Sequence, residues 1–211
     1  MTDFIQLIHE YCQAHTTPQS QLLYDLERET HLKTLAPQML SGHLQGAFLR
    51  LLSQLMRPKC ILEIGTFTGY AAICLAQGLA ADGQLHTIEA NSELEYLIRK
   101  YVNRANLQEK IQLHIGKAEK IIPKLDLTFD MVFIDAGKQQ YLDFYNRTIE
   151  KVNSGGLILA DNVLWSGKVI RRENDADTET IRAFNDMVQA DERVENIMLP
   201  LRDGLLIAKK K

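Results

Sequence analysis

Apolar residues recur at helical spacing over the first third of the chain. Phe4, Ile5, Ile8, Tyr11 and Cys12, then Leu22, Leu23, Leu26 and Leu32, predict two amphipathic helices between Asp3 and about Leu35, with a break at Thr17-Pro18. Pro37 ends this pair, and Gln45 to Met56 predicts a third helix stopped by Pro58. From there the period changes. Five short runs, CILEI (60–64), LHTIE (85–89), IQLHI (111–115), DMVFI (130–134) and GLILA (156–160), read as strands, most of them separated by a stretch long enough for a helix. Alternating strand and helix predict an α/β fold with a doubly wound parallel sheet. The unbroken apolarity of Val132 to Ile134 and Leu157 to Ala160 suits strands buried on both faces. After a helix near Thr178 to Ala190, VENIMLP (194–200) and GLLIA (204–208) are joined only by Leu201-Arg202-Asp203. That leaves no room for a crossover, so the two runs are expected to close the sheet as an antiparallel hairpin.

Composition narrows the class of partner. The 211 residues carry 24 Lys and Arg against 27 Asp and Glu, a formal charge of -3, which gives no bulk electrostatic case for nucleic acid or a membrane surface. Cys12, Cys60 and Cys74 are odd in number and lack CxxC spacing, so they read as buried, reduced thiols rather than disulfide or zinc cysteines. No apolar stretch approaches the roughly 18 to 20 residues of a membrane span, and the N-terminus does not resemble a signal peptide. A cytoplasmic protein acting on a small molecule is the expectation. The terminal Lys209-Lys210-Lys211 reads as a solvated tail.

The first strand runs into Glu63-Ile64-Gly65-Thr66-Phe67-Thr68-Gly69-Tyr70, a turn expected to open a helix from Tyr70 to Leu79. Glycines there let the backbone approach a ligand and present N–H groups at a helix start. The spacing is GxxxG rather than GxGxxG, which favours a ligand with a carboxylate and an ammonium over a dinucleotide pyrophosphate. Glu89, at the end of the second strand, is placed to accept the two hydroxyls of a ribose. Turn and acid together point to a nucleoside-bearing cofactor.

The fourth strand ends in Phe133-Ile134-Asp135-Ala136-Gly137-Lys138 and the fifth in Leu159-Ala160-Asp161-Asn162. Ligands of an open parallel sheet lie beyond the carboxyl ends of its strands, so Asp135 and Asp161 are expected to face one crevice. Two carboxylates and an amide carbonyl form a hard oxygen set suited to Mg²⁺, Mn²⁺ or Ca²⁺ rather than zinc. Helix caps or turns are the plainer reading of the same residues. Lys138 is expected to open the next helix, where its charge opposes the positive dipole end. Beside a cation and partly desolvated, it becomes a base usable near neutral pH; taken alone, it reads rather as a surface lysine paired with a carboxylate.

Six segments in sequence resemble one family. LEIGTFTGYAA (62–72), TIEAN (87–91), GKAEKIIPKL (116–125), DMVFIDAGKQQY (130–141), GGLILADNVLWSGKV (155–169) and LPLRDGLLIA (199–208) are similar to the cation-dependent, S-adenosylmethionine-dependent O-methyltransferases of the caffeoyl-CoA and catechol type. The resemblance runs from about Met39 to the C-terminus. It implies a Rossmann-like class I methyltransferase fold with a seven-stranded, mostly parallel sheet, in which residues 1–57 form a helical cover and 58–211 the core of a single domain. It implies Asp135, Asp161 and Asn162 as metal ligands, with Mg²⁺ first among the candidate ions, and Lys138 as catalytic base. Glu63, Gly65, Thr66, Tyr70 and Glu89 would line the cofactor pocket, with Ala118 and Glu119 near adenine, Asp135 near the methionine ammonium and Met39-Leu40 as a cover. A phenolic acceptor and a homodimer built by the N-terminal helices are implied as well.

Three departures from the plant enzymes fall around the site, that at Gly137 on the adenine side. MLSGHLQG (39–46) carries His43 and Gln45 in place of a small residue and an acid, Gly137 replaces a bulkier side chain, and the loop Lys168 to Asp177 is shorter. His43 reads as a structural histidine, and Trp165 equally as a stacking surface or a packing residue. Some bacterial relatives resemble methyltransferases of a hydroxylated wobble uridine in tRNA, whose 5-hydroxyl and carbonyl oxygen chelate as a catechol does. Lys168, Arg171 and Arg172 would then form the basic surface. A non-catalytic S-adenosylmethionine-binding protein is the third reading, disfavoured by the complete metal set and Lys138.

Overall fold

The computed structural model describes residues 2–171 and 175–211. Three helices come first: α1 (Thr2–Ala14), α2 (Gln21–Lys33) and α3 (Gly42–Met56). Ser20 caps α2 by accepting the Leu23 N–H at 3.4 Å. Pro37 begins a short 3-10 turn, Pro37–Met39, that leads into α3. Alternation then follows through β1 (Cys60–Ile64), α4 (Tyr70–Ala76), β2 (Gln84–Glu89), α5 (Glu95–Arg104), β3 (Ile111–Ile115), α6 (Ala118–Ile121), β4 (Phe129–Ile134), α7 (Tyr141–Ile149) and β5 (Val152–Asp161). The chain ends in α8 (Ala176–Ala190), β6 (Val194–Leu199) and β7 (Leu205–Lys210).

The strands form one seven-stranded sheet in the order β3-β2-β1-β4-β5-β7-β6, parallel except for β7, which runs against both of its neighbours. The expected hairpin is present, and its second strand is the one inserted beside β5. Successive residues of each strand point to opposite faces. Ile61, Leu85, Met131, Phe133 and Leu159 pack under α4 and α5 together with Leu23, Leu26 and Leu49 of the N-terminal helices. Leu62, Ile88, Val132, Ile134 and Ile158 pack on the other face against Phe144, Tyr145, Ile181 and Phe184 of α7 and α8. Burial on both faces is the reason the central strands β4 and β5 carry the unbroken apolar runs Met131 to Ile134 and Leu157 to Ala160.

Several expectations need correction. Of the three thiols read as buried, only Cys74 is; Cys60 is half-buried and Cys12 exposed. Cys12 lies on α1, whose Phe4, Leu7, Ile8 and Tyr11 are exposed too, because nothing among the described residues covers that face. Helix α4 stops at Ala76 rather than Leu79. Gly78 follows it where a Cβ would meet the Ser53 carbonyl carbon at 2.3 Å, so the chain leaves the helix to pass against α3. Strand β5 starts at Val152, four residues early, through a register shift opposite Phe129 and Met131. No helix among the described residues is long and apolar enough to cross a membrane.

Candidate active site

The order of the strands reverses between β1 and β4, which opens a crevice at their carboxyl ends. Gly65 follows β1 there with φ +98°, and a Cβ on it would lie 1.9 Å from the carbonyl oxygen of Asp135, which follows β4. Only glycine lets the two strand ends come so close. Glu89, at the end of β2, fixes the turn from the side: its Oε2 accepts the Phe67 N–H at 2.7 Å and its Oε1 the Asn91 N–H at 2.8 Å. Glu63 works from beneath. It is fully buried, accepts a hydrogen bond from the Thr87 hydroxyl, and that hydroxyl is in turn bonded to Thr66. Burial pushes the Glu63 carboxyl up to about 8, and no donor among the described residues reaches its Oε1 to hold a negative charge there.

A cavity of about 540 Å³ lies over these strand ends. Of the residues singled out in the sequence, Met39, Gly65, Glu89, Asp135, Gly137, Lys138, Asn162 and Trp165 form its wall. Leu40, Thr66 and Tyr70 line a narrow adjoining crevice with Met39, Gly65 and Asp135. Glu63 and Asp161 lie behind the wall, 0% and 1% exposed. Ala118 and Glu119, at the start of α6, are off the wall, Ala118 buried and Glu119 partly exposed. His43 is also off it, with Nε2 at 2.8 Å from the Thr17 carbonyl, the structural role expected. Gln45 is buried behind the wall. Asp177 reaches the cavity from α8. Arg172 lies outside the described residues, and Lys168 is paired with Asp175 at 3.2 Å.

Asp135 and Asn162 meet at Lys138, and Asp161 is tied to it through Tyr141. Its Nζ donates to Asn162 Oδ1 at 2.8 Å and to the Tyr141 hydroxyl, and lies 3.6 Å from Asp135 Oδ1. Tyr141 passes the fixation on by donating to the Asp161 carbonyl at 2.9 Å. Lys138 opens a 3-10 turn, Lys138–Gln140, ahead of α7. Burial pushes the Lys138 ammonium below its ordinary value, against the pull of Asp135 and Asp161. Asp135 moves the other way, raised by burial and then by the neighbouring Asp161 charge. Asp161 Oδ1 accepts the Asn162 N–H at 2.8 Å, whereas its Oδ2 is buried with no hydrogen-bond partner among the described residues. No cluster of three or more His, Cys, Asp or Glu able to hold a metal occurs among the described residues; the set here is two carboxylates and one amide. An orphaned carboxylate oxygen beside two further hard oxygens fits a cation of the Mg²⁺ class. Asn162 is held at φ 59°, a strained backbone conformation of the kind retained at working sites.

A catechol O-methyltransferase of Niastella koreensis is 36% identical over 174 residues, 78% of this chain and 79% of that protein. Caffeoyl-CoA O-methyltransferase 1 of Eucalyptus globulus is 34% identical over 178 residues, 79% of this chain and 72% of the relative. The crystal structure of an O-methyltransferase from Bacillus cereus in complex with SAH superposes with a TM-score of 0.90 at 30% identity, over 97% of each chain. A sequence profile of the O-methyltransferase family matches residues 13–211. The chain belongs to the O-methyltransferase family.

In this O-methyltransferase several wall residues escape a reading by motif. Gln38, Phe67 and Arg202 line the cavity, and Tyr141 anchors Lys138. Arg202 lies between β6 and β7 at φ 50°, with Nη1 3.9 Å from Asp161 Oδ2. It also donates to Gln45 Oε1 and to the Gln38 carbonyl, each at 3.2 Å. A charged pair, Arg202-Asp203, in a tight connection at the working edge of the sheet was the available signal. Asp203 steadies the opposite loop by accepting the Ser166 N–H.

Proposed function

We propose that this O-methyltransferase moves a methyl group from S-adenosylmethionine to one hydroxyl of an acceptor with two vicinal oxygens, of the catechol or hydroxycinnamoyl type. The carrying observation is Lys138, a buried lysine depressed in basicity, held between Asp135 and Asn162 in the field of Asp161. The SAH complex of the Bacillus cereus relative and the catechol and caffeoyl-CoA specificities by which the other two relatives are named support the donor and the acceptor class.

S-adenosylmethionine supplies an electrophilic methyl, and a divalent cation held by Asp135, Asp161 and Asn162 supplies positive charge that acidifies a nearby hydroxyl. The remaining work falls to the chain. Glu89 offers its carboxylate to the ribose hydroxyls, and Gly65 leaves room for the methionine moiety beside Asp135. Gln38 and Met39 cover the cavity from the N-terminal side. Lys138, as the neutral amine, takes the proton from the acceptor hydroxyl at Nζ. The oxygen then forms its bond to the methyl carbon as the carbon–sulfur bond breaks and its electron pair returns to sulfur. Holding both reactants in line contributes up to roughly 7 to 11 kcal/mol in favourable cases.

The proposal includes a cytoplasmic homodimer formed through the N-terminal helices, supported by the exposed Phe4, Leu7, Ile8 and Tyr11 of α1 and Leu51 and Leu55 of α3. The test of the reaction is a screen with labelled donor over catechols, hydroxycinnamoyl thioesters and undermodified tRNA. Labelling of a catechol or thioester is expected. Labelling of tRNA alone would replace this reading with transfer to a wobble 5-hydroxyuridine.

A further inference from the structure

The end of the cavity farthest from Glu89 carries a positive charge that the methyl-transfer chemistry leaves unused. Strand order β2-β1-β4-β5-β7 puts four strand spacings between Glu89 and the connection that holds Arg202, roughly 19 Å at about 4.8 Å each. Asp135 lies midway, after β4. The donor then spans the half from Glu89 to Asp135, and the acceptor lies in the half from Asn162 to Arg202.

Arg202 is poorly satisfied for a guanidinium on a cavity wall. Of its five N–H donors, two make hydrogen bonds among the described residues, both 3.2 Å long, and Asp161 Oδ2 at 3.9 Å is too far to accept one. Its side chain is 23% exposed. The other acids at this end have donors of their own, Asp177 from Gln139 at 3.0 Å and Asp203 from the Ser166 N–H. Trp165 stands on the same wall with its ring 5.8 Å from Lys138 Nζ. An aromatic diol brought to Lys138 has that indole as a flat neighbour, and its far ring substituent comes toward Arg202. A partly desolvated cation with spare donors matches a carboxylate, which takes two parallel N–H bonds.

We infer that Arg202 is a specificity-determining residue that selects acceptors bearing a carboxylate on the ring, on the side away from the reacting diol. This rests on the catechol-type reading above. Its test compares 3,4-dihydroxybenzoate with neutral 4-methylcatechol at saturating donor and Mg²⁺, in the wild type, Arg202→Gln and Arg202→Lys. The wild type is expected to favour the carboxylate in kcat/KM by about tenfold or more, the range of one charge-assisted hydrogen bond. Arg202→Gln lowers kcat/KM for the carboxylate by roughly 10- to 100-fold, mainly through KM, and changes 4-methylcatechol less than about threefold. Arg202→Lys recovers part of the loss. Equal losses on both acceptors would reduce Arg202 to a brace for Gln38 and Gln45 and overturn the inference, as would a wild type without preference, a result that needs no variant to fold. Failure of the folded, SAH-binding wild type to methylate either diol would remove the acceptor reading itself and the inference with it.

Discussion

Lys138 Nζ stands 2.8 Å from Asn162 Oδ1, so the ammonium rests against an oxygen assigned to the cation site. In the proposed mechanism a base in that position works beside the cation, and the two contributions separate by mutation. Lys138→Ala removes a proton acceptor, worth about 10² to 10⁴ in rate, while the acidified hydroxyl still ionises in part unaided. Asp161→Ala removes the cation and the positioning with it. Turnover is therefore expected to fall further in Asp161→Ala than in Lys138→Ala, measured as kcat at saturating Mg²⁺. Equal losses would contradict the ranking.

Glu63 gives a stability effect with a defined pH window. Its folded value of about 8 lies above the ordinary 4.5, so the folded chain holds this proton more tightly than the unfolded chain does. The contribution is complete below about pH 4.5, falls as pH rises from there to about 8, and is constant above. Glu63→Gln keeps an acceptor for Thr87 and has nothing to ionise. Its melting temperature is expected to gain on the wild type steadily from pH 5 to pH 8.5; a constant difference across that range would contradict the buried acid.

Gly65→Ala places a methyl 1.9 Å from the Asp135 carbonyl oxygen at φ +98°. A backbone clash plus a left-handed alanine is expected to cost at least about 3 kcal/mol, a fall of roughly 10 °C in Tm, with loss of SAH binding by calorimetry. A variant that melts as the wild type does would show that the strand ends are free to separate.

Much of the fold follows from local pattern, because strands buried on both faces are rich in apolar residues and most helices between them alternate apolar and polar positions at helical spacing. β1 and β3 end where their runs end. What escaped depends on distant partners. Helix α4 ends early because Gly78 meets Ser53, and β5 begins early because Val152 pairs with Phe129. In the site, Asp135, Lys138 and Asn162 were legible because they follow strand ends at one edge. Glu63 was not legible as a support beneath the turn, since its neighbour Thr87 lies on another strand. Arg202 meets Gln45 157 positions earlier, a proximity no local signal carries.

The exposed apolar face of α1 bears on assembly. Light scattering at micromolar concentration is expected to give twice the 24.0 kDa chain mass, and Leu7→Glu with Tyr11→Glu is expected to give the monomer. A monomeric wild type would remove the dimer.

Cation-dependent transfer is the central claim, and one assay reaches it directly: methyl transfer from labelled S-adenosylmethionine to a catechol, with EDTA and then with excess Mg²⁺. The account predicts loss of labelling in EDTA and recovery with Mg²⁺. Labelling undiminished in EDTA would contradict it.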